Sequence, residues 1–298
     1  MGYNADLFDK TFKIYSQYTQ DSTDINIRRK QIRLKKSYLE VVTTNDWKNY
    51  EFRSILHELK THELLRCYQS VHSTNDSKPG PDFRQNGTPF ECVSVTFGER
   101  GTKIYNKLSG ESEGVGFDTL PRKDLIFRVT SSIDSKKRQY MQHIQCGSIL
   151  ESDAYVIVVD LSLIYSQHTQ LFNNFWEMLL PTMGVGEQYI RIDKTTLQTI
   201  ESDYVRYDLL QKTNQAGINM ALFRRPDYAF LSGILFTSAP LPEKYTPENV
   251  IFMDNPWANN KLSYGIYAGL KAWLYNSETE IYSVRILSTN TDVIADIT

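Results

Sequence analysis

The dipeptide Asn86-Gly87 constrains the fold more than any other feature, because it separates two strand-like runs of residues. Both central residues of a two-residue hairpin loop need positive φ, and Asn-Gly meets that requirement best. With these residues as the loop, Phe83 faces Phe90 in a favourable aromatic pair. Pro89 falls in a pair whose N–H points outward, so its missing donor costs no hydrogen bond of the ladder. The sequence therefore predicts an antiparallel hairpin with a defined register.

This register places two carboxylates directly opposite each other. Asp82 faces Glu91 at a position where the side chains of a pair come closest. Like charges about 5 Å apart repel, so the pair is unfavourable in a hairpin with a purely structural role. A divalent cation removes the repulsion, since hard cations such as Mg²⁺ take carboxylate oxygens at about 2.1 Å. The pattern therefore predicts a Mg²⁺ or Mn²⁺ site at Asp82 and Glu91, and a solvated acidic pair is the alternative.

Regular elements are expected before and after the hairpin. A helix is predicted over 46–68 with Asp46 as its N-cap, and a second helix over 132–146. The near-continuous apolar run at 154–161 is typical of a buried strand. The remaining expected elements are strands at 230–237 and 250–253 and helices at 171–180 and 264–275. Together they indicate an α/β fold.

The order of these elements and the two acids resemble the PD-(D/E)xK nuclease superfamily over about residues 50–162. That superfamily has a restriction-endonuclease-like core, an α-β-β-β-α-β mixed sheet flanked by helices. Pro81-Asp82 matches the Pro-Asp element of its motif, and Glu91 matches the second acid. The resemblance implies a Mg²⁺-dependent nuclease that cleaves DNA, with Asp82 and Glu91 as catalytic and metal-binding residues.

The motif lysine two residues after the second acid is absent, because Val93 stands there. Some members carry the lysine on the following helix. The segment 128–137 is similar to an uncharacterised bacterial group with an Arg-x-Thr-Ser-Ala-Leu/Ile-x-x-Lys pattern, which selects Lys136. The apolar stripe of the same helix is centred nearer Lys137. Both lysines stay catalytic candidates, with Lys136 preferred.

The resemblance also indicates a third metal contact and a second shared segment. In this superfamily an acid on the first core helix often contacts the metal, which makes Glu63 a candidate ligand and Glu58 the second choice. The same bacterial group shares a segment with Asp254–Ala258, Asp-Asn-Pro-Trp-Ala, for which we know no role.

A basic run lies near the N-terminus, with six basic residues among the nine of 28–36 and no acid. Such a run on a helix forms either a solvated face or a phosphate-binding surface. In a nuclease, the residues expected to contact the DNA backbone are Arg28, Arg29, Lys30, Arg33 and, from the hairpin, Arg84.

Composition limits the class of protein and its partners. The 298 residues are 41% hydrophobic, which is enough apolar material for a large core. The net charge of −2 provides no global basic field, so contact with nucleic acid must depend on a local patch. Three widely spaced cysteines do not form a disulfide framework. No apolar run approaches the roughly 20 residues that span a bilayer, and we expect a soluble cytoplasmic protein with no membrane partner.

Two functions and one domain arrangement follow. Residues 1–45 are expected to form a basic helical extension, and 46–298 a single nuclease-like α/β domain with C-terminal elaboration. The first function is a Mg²⁺-dependent phosphodiesterase acting on DNA. The second is a catalytically inactive nuclease-like binding or effector module, favoured by Val93 and by the mildly acidic net charge.

Overall fold

The fold is taken from a computed structural model, which describes residues 5–44, 49–73, 79–96, 122–162, 176–211, 217–239, 241–247, 249–263, 267, 269–276, 281–287 and 295–296. Its helices are α1 (Ala5–Asp21), α2 (Ile25–Thr44), α3 (Tyr50–Tyr68), α4 (Arg122–Gln145) and α5 (Trp176–Met183). Its strands are β1 (His72–Ser73), β2 (Phe83–Gln85), β3 (Thr88–Ser94), β4 (Tyr155–Asp160), β5 (Val185–Ile192), β6 (Thr199–Arg206), β7 (Leu209–Gln211), β8 (Gly217–Asn219), β9 (Leu231–Thr237), β10 (Val250–Asp254), β11 (Lys271–Asn276), β12 (Ile281–Ile286) and β13 (Ala295–Asp296). Two 3-10 turns, Leu222–Arg224 and Pro226–Tyr228, precede β9.

Nine of these strands form one mixed sheet in the order β1-β2-β3-β4-β9-β10-β11-β12-β13. Strands β1 to β3 pair antiparallel, whereas β4 lies parallel to β3 and β9 parallel to β4. Parallel neighbours need a crossover connection, and α4 lies in the one between β3 and β4. Along the chain, the described elements from α3 to β4 come in the order α3-β1-β2-β3-α4-β4. The expected mixed α/β sheet flanked by helices is confirmed, and none of the described helices is long and apolar enough to cross a membrane.

The hairpin has the register that the sequence predicts. Phe83 pairs with Phe90, and Asn86 and Gly87 form the loop with φ of +49° and +80°. Both φ values lie in the left-handed region that an Asn-Gly loop adopts without strain. Asp82 directly precedes β2, and the continued register puts it opposite Glu91.

The sheet is covered on both faces, which explains the continuous apolar run of β4. Its six residues are all buried. Val156 and Val158 pack into the core on the side of α1, α2 and α3. Ile157 and Val159 pack into a second core under α4 and α5. A strand buried on both faces has no polar alternation.

The N-terminal helices belong to the first of these cores. Phe8 of α1 and Leu34 of α2 are fully buried in the same cluster as Phe52 of α3 and Val158 of the sheet. The sequence predicts a basic helical extension over residues 1–45, and the described part of this segment is helical and packs into the core because its apolar stripe covers α3.

Helix α3 is buried on nearly all sides and carries polar groups on its sheet side. The two ring nitrogens of His57 lie 2.8 Å from Tyr245 Oη and 3.0 Å from the Val158 carbonyl oxygen. Lys60 Nζ donates to the Ala239 carbonyl at 3.2 Å. These contacts connect α3 to β4 and to the segment that follows β9, since a buried polar group needs a partner.

Several element bounds differ from the expectations. The helix expected over 264–275 is wrong: Lys271–Asn276 is strand β11, because pairing with β10 and β12 on its two sides overrides the local apolar spacing. Helix α4 begins ten residues before the expected start. Helix α3 begins after Asn49, whose side chain accepts from Phe52 N at 2.9 Å. The expected cap Asp46 and much of the helix expected over 171–180 lie outside the described residues.

Candidate active site

Lysine 136 of α4 reaches the hairpin, and Lys137 does not. Lys136 Nζ lies 2.9 Å from Glu91 Oε1, and the Lys136 residue is 9% exposed. Lys137 Nζ instead contacts Asp227 at 2.5 Å on the outer side of the helix. The buried line of α4 runs through residues 129, 133, 136, 140 and 143. Lys136 therefore lies on the face of the helix that packs against the sheet.

Glu91 is the buried acid of the site. Its residue is 5% exposed, and its Oε2 has no hydrogen-bond partner among the described residues. Burial raises the pKa of Glu91, and the charge of Lys136 opposes that rise. Burial alone would lower the pKa of Lys136, but the charges of Glu91 and Asp82 outweigh it and raise that pKa. Burial and the charge of Lys136 therefore act in opposite directions on the pKa of Glu91, whereas the two acids favour the ammonium form of Lys136.

Asp82 is held against β3 by the backbone. Its Oδ2 accepts a hydrogen bond from Cys92 N at 2.7 Å. Burial, and next the charge of Glu91, raise the pKa of Asp82 to about 7, against the lowering effect of Lys136 and Lys30. Two carboxylates that share a poorly solvated site cannot both ionise cheaply. A proton or a cation is therefore favoured at this position near neutral pH.

A third acid of the same electrostatic cluster is Glu58 of α3, not Glu63. Glu58 is buried and forms an ion pair with Lys30 of α2. Burial and the charge of Asp82 raise the pKa of Glu58, and Lys30 opposes the rise. Glu63, the first choice from the sequence, instead contacts Lys244 Nζ at 2.5 Å and Tyr15 Oη at 3.3 Å. The acid of α3 that interacts with Asp82 and Glu91 is therefore Glu58, the second choice from the sequence.

Two further polar groups near the pair were not found from the sequence. Tyr155 Oη and His143 Nδ1 are buried and have no hydrogen-bond partner within the described part of the chain. The pKa of Tyr155 is raised by burial and then by the charges of Glu91 and Asp82. The pKa of His143 is lowered by burial and then by the charge of Lys136. Unpaired buried polar atoms beside ionised groups are typical of a place that takes water or an ion. Neither residue carries a motif by which it could have been selected.

The residues expected to contact DNA have different placements. Arg28 and Arg29 are exposed on α2. Arg33 Nη2 donates to Glu51 at 2.7 Å on the surface. Lys30 is 2% exposed and faces Glu58, so it cannot contact DNA in this conformation.

Arg84 also has a different partner set from the expected one. It donates to the carbonyl oxygens of Gly87 at 2.8 Å and Ser148 at 2.5 Å, and it pairs with Asp153 at 3.2 Å. These contacts tie the hairpin loop to the turn after α4, because a fork of donors bridges several acceptors at once. The role of Arg84 in the structure is internal rather than toward a phosphate.

Neither the comparisons with known proteins nor the arrangement of metal-binding residue types adds a further assignment. Comparison with protein-family models, with curated proteins and with solved structures found no match. Among the described residues, no group of three or more His, Cys, Asp or Glu side chains is arranged to bind a metal ion. The pair Asp82–Glu91 nevertheless fits a hard divalent cation, because both donors are carboxylates and Glu91 Oε2 is buried without a partner.

Proposed function

We propose that this protein is a Mg²⁺- or Mn²⁺-dependent phosphodiesterase that acts on DNA, as a divergent member of the PD-(D/E)xK superfamily. The observation that carries the proposal is the contact between Lys136 and Glu91 beside Asp82. Asp82, Glu91 and Lys136 together provide two acids and one ammonium group, the three charges that such a motif requires. The lysine comes from α4, because Val93 occupies its usual position on the strand. The order α3-β1-β2-β3-α4-β4 supports the same interpretation.

Each residue has a distinct role in this proposal. Asp82 and Glu91 would hold the divalent cation, which when bound supplies Lewis acidity and a nucleophilic water at neutral pH. Lys136 orients the water and stabilises the charge that develops on the phosphoryl oxygens. Glu58 adds negative charge near the cation, and its ion pair with Lys30 partly neutralises that charge. The expected cytoplasmic location is part of the same proposal.

A second candidate function is a nuclease-like binding or effector module without catalysis. The ion pairs Lys136–Glu91 and Lys30–Glu58 favour it, since they balance two buried acids without a metal. A structural network of this kind is stable only when each charge keeps its partner. The two functions differ in whether the site takes a cation.

The test compares cleavage and metal binding in matched variants. Parent, Asp82→Asn, Glu91→Gln and Glu63→Gln proteins are incubated with Mn²⁺ and with plasmid and single-stranded DNA, and Mn²⁺ binding is measured by calorimetry. The enzyme proposal expects Asp82→Asn and Glu91→Gln to lose cleavage and Mn²⁺ binding, and Glu63→Gln to keep both. The module is favoured if the parent protein cleaves neither plasmid nor single-stranded DNA and if Asp82→Asn leaves its Mn²⁺ binding unchanged.

A further inference from the structure

The segment Asp254–Ala258 forms a rigid turn at the end of β10 that places Trp257 on the surface. Asn255 is fully buried, and its side chain donates to the carbonyl oxygens of Leu231 at 2.7 Å and Tyr228 at 3.3 Å. The Asn255 side-chain oxygen accepts from Trp257 N at 3.0 Å. The turn is thus fixed by an asparagine, and the large aromatic side chain that follows is 40% exposed.

One cationic side chain lies over this exposed ring, and two more lie over the ring of the buried Tyr228. The guanidinium of Arg224 lies over the Trp257 ring, 5.7 Å from its centre. Arg225 and Lys137 lie 4.9 Å and 5.4 Å from the centre of the Tyr228 ring, and both contact the carboxylate of Asp227. Arginine and lysine over aromatic faces form cation–π contacts that hold the charges in place. The surface offers an aromatic face next to ordered positive charge.

A cavity extends this surface along α4. It has a volume of about 290 Å³ and is lined by Arg225 together with polar side chains that include Ser131, Asp134 and Asn219. Hydroxyl, carboxylate and amide groups in a concave site can hydrogen-bond a planar polar ligand such as a nucleobase.

The same surface lies at the end of the sheet that carries the Asp82–Glu91 pair. The register joins Glu91 to Ile157, Ile157 to Ile234 and Ile234 to Met253, so Glu91 and Met253 share one row of the sheet. Three strand spacings of about 4.8 Å separate them by roughly 14 Å. Trp257 follows Met253 by four residues, and Arg224 belongs to a turn whose Leu222 and Phe223 pack into the core under α4. Lys136 approaches Glu91 from that side.

We propose that Trp257, Arg224, Arg225 and Lys137 bind single-stranded DNA and direct it to the Asp82–Glu91 pair. This inference deepens the proposed function and rests on it for the class of substrate. Base stacking on an aromatic side chain, with arginine beside the phosphates, is the general mode of single-strand binding. Duplex DNA is disfavoured as the ligand, because its bases are already stacked and because the net charge of −2 offers no broad basic surface.

The test measures binding without metal, so that cleavage does not enter. The dissociation constant of fluorescein-labelled oligothymidine is measured by anisotropy in EDTA, and a hairpin duplex with the same dye serves as competitor. Trp257→Ala and Arg224→Ala are each expected to weaken oligothymidine binding about tenfold, and Trp257→Phe to weaken it less. The matched controls Tyr189→Ala and Arg191→Ala, on the exposed ribbon of β5 and β6, should bind like the parent.

Three outcomes overturn the inference. They are a parent that does not bind oligothymidine, a Trp257→Ala protein that binds it like the parent while its circular-dichroism melting curve shows a normal fold, and a duplex that competes better than unlabelled oligothymidine. A protein that binds oligothymidine through Trp257 but shows no metal-dependent cleavage supports the binding surface and contradicts the proposed nuclease, so the two failures are distinguishable.

Discussion

Lys136 of α4 and Glu91 of β3 form a buried ion pair of 2.9 Å, two residues along β3 from Val93. The lysine stem crosses from the helix to the sheet, and the partly buried Val93 packs into the core under the same helix. Four methylene groups give a lysine this reach while its ammonium stays with an acid. If the chain is the nuclease proposed above, this ammonium group on α4 would take the place of the motif lysine that Val93 replaces.

The first prediction concerns the loss of this ammonium group. Lys136→Ala is expected to lower Mn²⁺-dependent cleavage of DNA by about 10²-fold or more, the scale of removing one electrostatic stabiliser of the transition state. Val93→Lys in the Lys136→Ala background should recover part of the activity, because it returns the charge to the strand position. Initial cleavage rates on a labelled oligonucleotide measure both effects.

Lys137→Ala is the matched control for that experiment. Lys137 contacts Asp227 rather than the acid pair, so its loss should reduce cleavage less than the loss of Lys136 at saturating DNA. Equal rates for Lys136→Ala and the parent would show that the α4 lysine does not take the role of the motif lysine.

The second prediction concerns the ion pair between Lys30 and Glu58. Both residues are buried, so removing one partner leaves a charge without compensation. Lys30→Met and Glu58→Gln should each lower the free energy of unfolding by about 3 kcal/mol. The double variant should recover most of that loss. Urea unfolding of the four proteins gives the coupling energy.

Glu63→Gln is the control for charge removal on the same helix. Its contact with Lys244 is partly exposed, and exposed pairs contribute about 1 kcal/mol or less. If Glu58→Gln is as stable as Glu63→Gln, the Lys30–Glu58 pair has no structural role of the kind inferred from its burial.

The third prediction is a pH dependence of metal binding set by Asp82. Because its pKa is raised to about 7, Asp82 must release a proton to bind a cation below that pH. The dissociation constant for Mn²⁺ should therefore rise by up to about tenfold for each unit of pH below 7 and change little above it. Calorimetry in buffers of different ionisation enthalpy should count about one proton released near pH 6. An affinity that stays constant between about pH 5 and pH 7 contradicts the raised pKa.

The same raised pKa gives a stability effect of defined sign. An acid whose pKa rises on folding binds more protons in the folded state, so its ionisation destabilises the protein as the pH rises from its ordinary pKa of 3.8 to about 7. Below pH 3.8 this destabilisation is absent. Asp82→Asn has no carboxyl group to ionise, so the stability of this variant should fall less than that of the parent as the pH rises from 3.8 to about 7. Thermal melts at matched pH values, without metal, compare the two.

The fourth prediction contrasts one substitution at two glycines. Gly87 has φ of +80° and open space around an added Cβ, so Gly87→Ala should lower the free energy of unfolding only by about 1 kcal/mol, for backbone strain. An added Cβ at Gly233 would lie 2.3 Å from Phe252 Cζ and 2.6 Å from the Met253 carbonyl oxygen. Gly233→Ala should cost about 3 kcal/mol, because β9 and β10 must separate. Equal midpoints in urea would contradict the packing of these strands.

The hairpin could be predicted from the sequence because local chemistry decides it. The loop conformation of Asn86-Gly87 and the Phe83–Phe90 pair involve residues near one another in the chain. The strand at 271–276 could not be predicted in the same way, because its pairing with β10 and β12 depends on segments that the local pattern does not include.

The candidate site shows why apolar periodicity is a poor guide to buried charges. The stripe of α4 indicates a centre nearer Lys137, whereas Lys136 lies on the buried line because an acid on the sheet compensates its charge. The basic run of 28–36 predicts Lys30 either on a solvated face or in contact with DNA phosphates, and its burial is not predicted because its partner Glu58 lies on another helix. Pairing across elements is a tertiary property, and no single segment records it.

The polar contacts of α3 have a consequence for synthesis of the chain. Lys30 has already been made when Glu58 leaves the ribosome, but Tyr245 follows His57 by 188 positions. At about 5–20 residues per second, this delay is roughly 10 to 40 s. During that time α3 can pack against α1 and α2 while its sheet side, with His57 and Lys60, has no cover from β9. The nascent protein therefore exposes a mixed apolar and polar helix face for many seconds.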